Sequence, residues 1–170
     1  MDNNKQSLKL LDSSNYAKLQ NDLTPFVKTY IEKLIYDLVT YVTPQLTVGT
    51  IEILDNYVGT NELSQEVTGI PSAYSVVDGE KDALVAFAKQ YSSLDITDFD
   101  MLAKESIIDF LNLHNGLFVV QLSKDEICEL SLGVPKQNGN YALDHATYKS
   151  IIAIPIMFPY GVIKFLLGEI

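Results

Sequence analysis

The hydrophobic pattern changes period along the chain, and each period predicts an element. Thr24-Pro25 is a helix start, with Thr as N-cap and Pro at the first helical position. Phe26, Val27, Tyr30, Ile31, Leu34, Ile35, Leu38, Tyr41 and Val42 then recur three and four apart. Lys28, Glu32, Lys33 and Asp37 occupy much of the other side, and Pro44 closes the run. This predicts a long amphipathic helix. Leu46 to Leu54 mixes Val, Thr and Ile and reads as a strand. Asp55 to Pro71 reads as a polar connection holding Gly59 and Gly69, with Asn61 to Val67 admitting one helical turn. Ala73 to Val77, the dipeptide Asp78-Gly79 and Ala83 to Ala88 read as a β-hairpin. Its second run, ALVAFA, has no polar face and is expected near the centre of a sheet.

A second helix is expected from about Phe99 to Gln121, capped by Thr97 or Asp98. Asn115-Gly116 offers a stop, but Leu117 to Leu122 carries the apolar pattern on, so continuation is preferred. Glu126 to Val134 alternates and reads as a strand ended by Pro135. Lys136 to Tyr148 is a polar loop with an Asn138-Gly139 turn signal. Ser150 to Phe158 and Gly161 to Leu167 are strands joined by a tight turn, and Pro155 marks the first as an edge or bulged strand. The order is helix, three strands, helix, three strands. It predicts an α+β fold of two helix-plus-strands repeats, forming an antiparallel sheet with long helices packed on it. Residues 1–22, rich in Asn, Ser, Lys and Gln, form a polar N-terminal tail or linker, or a short helix leading from an upstream domain. Residues 23–170 form the domain.

Composition narrows the function. A chain of 170 residues can bury roughly 70% of its unfolded surface, so it needs neither metal nor disulfide to fold. Twelve Lys plus Arg against 22 Asp plus Glu give a net charge of −10, with no basic cluster. That argues against nucleic acid and against an anionic membrane surface as partners. The apolar runs are shorter than the ~20 residues of a membrane span, and the first twenty residues lack a signal-peptide core. A cytoplasmic location is expected. Cys128 is the one cysteine, expected as a small core or boundary residue of its strand. His114 and His145 stand in no metal-ligand spacing with each other or with Cys128 and are expected at the surface or its boundary. No glycine-rich phosphate loop and no nucleophile-elbow sequence is present.

One stretch stands out, Glu105 to Gly116, ESIIDFLNLHNG. On a helix, Glu105, Asp109, Asn112 and Gly116 fall in one polar stripe, while Ile107, Ile108, Leu111 and Phe118 face a core, with Phe110 and Leu113 nearer the boundary. A carboxylate and an amide one turn apart, with Cβ atoms roughly 5–6 Å from each other, can hold a water or a partner's ammonium group between them.

This stretch resembles the active helix of the CheC/CheX/FliY family of chemotaxis phosphatases, most of all the CheX type. The family pattern is an Asp or Ser, three residues, a Glu, two residues, an Asn, then a run to a Pro. Here Glu105, Asp109 and Asn112 keep that spacing, twenty-two residues separate Asn112 from Pro135, and Gly116 falls where the family has a glycine. Two positions depart: Glu105 stands for the Asp or Ser, and Asp109 for the Glu. Family members with two active sites repeat the signature on the first helix. Its absence from Thr24–Val42 is consistent with the single-site CheX arrangement.

The resemblance implies a CheC-like fold and a partner, the phosphorylated receiver domain of a response regulator in chemotaxis or two-component signalling. It implies hydrolysis of the receiver's aspartyl phosphate without a covalent intermediate. Asn112 would orient the attacking water and Asp109 would pair with a partner lysine, with Glu105 and Gly116 as partner-binding positions. This chain would hold no cofactor, the Mg²⁺ belonging to the receiver. It would form a homodimer, for which Ser150 to Phe158 offers an edge strand. Asp109 gives up roughly 1 Å of reach relative to Glu, and a misplacement of that order can cost about 100-fold in rate. The alternative is therefore a catalytically weak or inactive docking or dimerisation module of the same fold.

Overall fold

A computed structural model of the chain describes residues 2–125 and 129–170. Within residues 1–22, read from sequence as a tail, linker or short helix, the chain forms helix α1 (Asn3–Asp12) and a 3₁₀ turn over Tyr16–Leu19. Leu11 and Tyr16 are buried in the main core. The Asn15 side chain accepts from the Ile51 amide and donates to the Ile51 carbonyl, both at 2.9 Å, which pins the segment to the sheet margin. Thr24 then starts α2 (Pro25–Tyr41), its hydroxyl accepting from the Val27 amide at 3.3 Å.

Ten strands follow among the described residues, in two groups of five. The first group is β1 (Thr47–Val48), β2 (Glu52–Leu54), β3 (Asn56–Gly59), β4 (Glu62–Gly69) and β5 (Ala73–Gly79). Helices α3 (Lys81–Ser92) and α4 (Met101–Asp125) come next. The second group is β6 (Leu130–Leu132), β7 (Lys136–Asn138), β8 (Tyr141–Asp144), β9 (Ser150–Phe158) and β10 (Gly161–Glu169). The main sheet runs β1-β9-β10-β5-β4-β6, with β2 also on β9 and β7 also on β4, and every described pairing is antiparallel. Helices cover one face. The hairpin-like pair β3–β8 covers part of the other, through Tyr57, Tyr141 and Leu143 over Tyr74, Val76 and Leu166. The architecture is the expected α+β one, with helices packed on an antiparallel sheet.

Several local expectations are corrected. Asn61 to Val67 is no helical turn: β4 runs through it, with Leu63, Gln65 and Val67 buried on the helix side and Glu66 and Thr68 exposed. Ala83 to Ala88 is no strand. Helix α3 buries Ala83, Leu84, Phe87 and Ala88, a helical spacing that six apolar residues in a row conceal. The cap of α4 is Asp100, whose carboxylate accepts from the Ala103 amide at 3.0 Å, rather than Thr97 or Asp98. The polar loop at 136–148 contains β7 and β8. The expected strand over Glu126–Val134 is described from Glu129 onward, with β6 at Leu130–Leu132. The expectation for Cys128 lies outside the described residues.

Pro155 marks a bulge and not an edge. Val48 faces Ile156 and Glu52 faces Ala153, so Gly49, Thr50 and Ile51 stand opposite Ile154 and Pro155. The extra residue sits where Pro155 can donate no ladder hydrogen bond, while its carbonyl accepts from the Gly49 amide at 2.8 Å. β9 is paired with β10 on one side and with β1 and β2 on the other, so Ser150–Phe158 is not available to pair across chains.

The core between sheet and helices contains titratable side chains. Asp37 of α2, expected on the outer side, is fully buried, and so is His114 of α4, expected at the surface or boundary. The Asp37 Oδ2 lies 2.8 Å from His114 Nδ1, and the Lys33 ammonium reaches the other oxygen at 3.2 Å from a nearly closed position. The imidazole stacks on Phe110 at 6.2 Å and meets the Tyr30 ring edge-on at 5.0 Å. Removing one member of a buried ionic group leaves its partner uncompensated, at a cost of about 3–5 kcal/mol. Asp37→Ala is therefore expected to lower the unfolding free energy by about 3 kcal/mol or more in urea titrations. A change below about 0.5 kcal/mol would show the cluster to be energetically idle.

Candidate functional site

The buried stripe of α4 decides what the helix leaves outside. Ala103, Ile107, Phe110, Leu111, His114, Asn115, Phe118 and Leu122 are all buried, at steps of three and four. Glu105, Asp109 and Asn112 are exposed on the opposite side, and Gly116 is half-exposed. The four residues that sequence spacing assigned to one polar stripe do share the outer face. Gly116 lies inside α4, and the helix continues through it as preferred.

The two central side chains are each held by a neighbour from another element. The Tyr91 hydroxyl at the end of α3 donates to Asp109 Oδ2 at 2.7 Å. Burial first, and the adjoining Asp109 carboxylate second, push the Tyr91 phenol well above its ordinary value, so the hydroxyl keeps its proton, and the bond, throughout the neutral range. Asp109 Oδ1 has no hydrogen-bond partner among the described residues, and Asp109 lines a shallow groove with Tyr41, Leu94 and Glu105. Asn112 Oδ1 accepts from Gln65 Nε2 of β4 at 2.7 Å. The same Nε2 donates to the Gly133 carbonyl at 3.0 Å, and Gln65 Oε1 accepts from Asn115 Nδ2 at 3.0 Å. Gly133 precedes Pro135 by two residues, so the segment carrying that proline is tied to the same glutamine.

This arrangement is acidic and polar. Glu105 and Asp109 both line the groove, and no basic residue lines it with them, so the groove favours an approaching cation. Asp109 offers a charge and Asn112 an amide that donates and accepts without changing charge. Among the described residues, no group of three or more His, Cys, Asp or Glu has the makings of a metal site. No helix of the described residues is long and apolar enough to cross a membrane.

Tyr91 and Gln65 were not singled out from sequence. Tyr91 follows the apolar run misread as a strand, and Gln65 lies in the segment read as a connection. The signal for Gln65 was the alternation Leu63, Gln65, Val67, which places an amide on the core face of a strand.

The architecture of helices packed on one antiparallel sheet is a CheC-like fold. Within that class the chain is similar to CheX of Desulfovibrio desulfuricans, at TM-score 0.70 and 18% identity over 86% of this chain and 100% of that one. It is also similar to a CheC-like superfamily protein of Shewanella sp. PV-4, at TM-score 0.73 and 14% identity over 87% and 99%. A third similar structure is CheX of Borrelia burgdorferi in a complex with CheY, BeF₃ and Mg²⁺, at TM-score 0.65 and 11% identity over 85% and 97%. No protein-family model and no curated protein matches the sequence. At these identities the likeness is one of fold.

The half-exposed Gly116 gives a test of what the outer face is for. A Cβ there would come no nearer than 3.9 Å to Leu132 Cδ1, so the fold has room for one. Alanine in a helix interior is favoured over glycine by about 0.5–1 kcal/mol. Gly116→Ala is expected to stabilise the chain by that amount in chemical denaturation. A net loss of stability would show that the fold, and not a docked partner, requires the glycine.

Proposed function

We propose that this domain binds the phosphorylated receiver domain of a response regulator and hydrolyses its aspartyl phosphate in chemotaxis or two-component signalling. The observation that carries this reading is the pair Asp109 and Asn112. Both stand exposed on one face of α4, and each is fixed by a side chain from another element. The fold shared with CheX structures, one of them solved with CheY, supports the choice of partner.

In this reading Asp109 receives an ammonium group of the receiver on its open oxygen, with the Tyr91 bond keeping the carboxylate turned outward. Asn112 enters the receiver's site and aligns a water with the phosphorus. The water oxygen bonds to phosphorus as the aspartyl oxygen leaves, and catalysis comes from positioning. Mg²⁺, carried by the receiver, would neutralise charge on the phosphoryl group. Glu105 and Gly116 extend the contact one turn to either side, Glu105 by charge and Gly116 by the absence of a side chain.

The second reading is a docking module that binds the receiver without hydrolysing its phosphate. Its supporting observation is that Asp109 is shorter than the family Glu and already engaged by Tyr91. A homodimer belongs to either reading. Because β9 is paired on both sides, such a dimer would not form through Ser150–Phe158.

The decay of a phosphorylated cognate receiver, followed with and without this protein, tests the proposal. The wild type is expected to accelerate decay, and Asn112→Ala to lower that acceleration by about 100-fold. No acceleration by the wild type, with a gain in Asp109→Glu, selects the docking module. If neither protein acts on or binds any cognate receiver, the reading fails.

A further inference from the structure

The structure assigns Gln65 the part of a positioning residue that fixes which end of the Asn112 amide faces outward. For catalysis the inference rests on the reading above; for the geometry it stands alone. Gln65 is 1% exposed and sits on the helix face of β4. All of its hydrogen-bonding groups meet partners: Nε2 donates to Asn112 Oδ1 and to the Gly133 carbonyl, and Oε1 accepts from Asn115 Nδ2.

The polarity of this chain follows from one member. A backbone carbonyl only accepts, so the end of Gln65 facing Gly133 must be its NH₂. That same NH₂ also meets Asn112, so Asn112 must present its oxygen inward. The other end of Gln65 is then a carbonyl and must meet the NH₂ of Asn115, which is fully buried. Asn112 is left with both N–H groups free to point outward and one lone pair still open on Oδ1. A free asparagine side chain turns its amide over readily; this one would lose its bond from Gln65 and set NH₂ against NH₂. The glutamine thus holds Asn112 ready to donate to a water or phosphoryl oxygen while accepting from that water. It does so from a side chain that is itself buried.

Asn115 keeps Oδ1 buried without a hydrogen-bond partner among the described residues. A core that tolerates this open acceptor so that Gln65 can be oriented fits a positioning role better than a purely cohesive one.

The test uses the full chain and Gln65→Met, which keeps the length and packing of the side chain and removes its hydrogen bonds. The first readout is ¹⁵N relaxation of the Asn112 side-chain amide in the free protein. The wild type is expected to give an order parameter in the rigid range, about 0.8, and Gln65→Met one below about 0.6. The second readout is the decay of a phosphorylated cognate receiver. There kcat is expected to fall at least about tenfold with KM unchanged, because the amide is still present but no longer held. A wild-type Asn112 amide as mobile as other exposed asparagines overturns the inference, and so does an amide equally rigid in both proteins. A KM change with kcat intact overturns it as well. If Gln65→Met does not fold, the wild-type order parameter still decides. If the wild type does not dephosphorylate a receiver, the proposed function fails while the relaxation result still decides the role of Gln65.

Discussion

The rotation of α4 about its own axis is the constraint on which the rest depends. A helix turns about 100° per residue, so a small roll would sink Asn112 or Asp109 into the core. Hydrophobic burial alone does not prevent this, because it is non-directional. Two polar contacts do. His114 reaches Asp37 of α2, and Asn115, the next residue, reaches Gln65 of β4. Adjacent residues on a helix point in different directions, so the pair pegs α4 to its neighbours on two sides. The wide buried stripe that includes these residues carries aromatic packing as well, with Phe110 against Phe87 and Phe165, and Phe118 against Phe26 and Tyr30.

Those pegs were the least legible part of the sequence. A histidine and an asparagine on a helix count as polar positions, and a pattern reading assigns such positions to solvent. Their burial follows from partners 77 and 50 residues away, a separation no local window spans. The same holds for Asp37, which looked like one more charge on the outer face of α2. By contrast α2 and β9–β10 were legible because local signals sufficed: Thr24-Pro25 for one, two apolar runs around a Pro159-Tyr160-Gly161 turn for the other. The failures at β4 and α3 have one cause. In ELSQEVTG the inward residue Gln65 is polar, which breaks the apolar alternation of a strand. In ALVAFA the absence of polar residues erases the helical period. The exposed stripe itself was legible, since it needs nothing beyond the spacing of Glu105, Asp109, Asn112 and Gly116.

The misread elements are the ones that supply the supporting contacts. Tyr91 and Gln65 come from α3 and β4, and together they turn an exposed acid and amide into fixed groups. A solvated helix face would leave both side chains free to sample rotamers, and ordering them on binding would oppose association. Here that ordering is already present in the free chain. The cost is carried by the core, whose buried polar side chains include Gln65, Asn115 and His114, where apolar ones would pack without hydrogen-bond demands. A fold selected for cohesion alone has little reason to keep all three.

The shorter acid is best understood in the same terms. A glutamate at 109 would reach further but carry one more rotatable bond. The aspartate is shorter and has one phenolic donor fixing an oxygen, so its open oxygen has a narrow range of positions set by the backbone of α4. Reach is exchanged for fixity. Whether a partner's ammonium meets that oxygen is then decided by how closely the partner's backbone can approach α4. One feature beside the site bears on that approach: Gly116 presents no side chain one turn on. Under the proposed function, the side chain absent at Gly116 would let a partner's backbone come nearer to a short, rigid acid, and a missing methylene would then matter less.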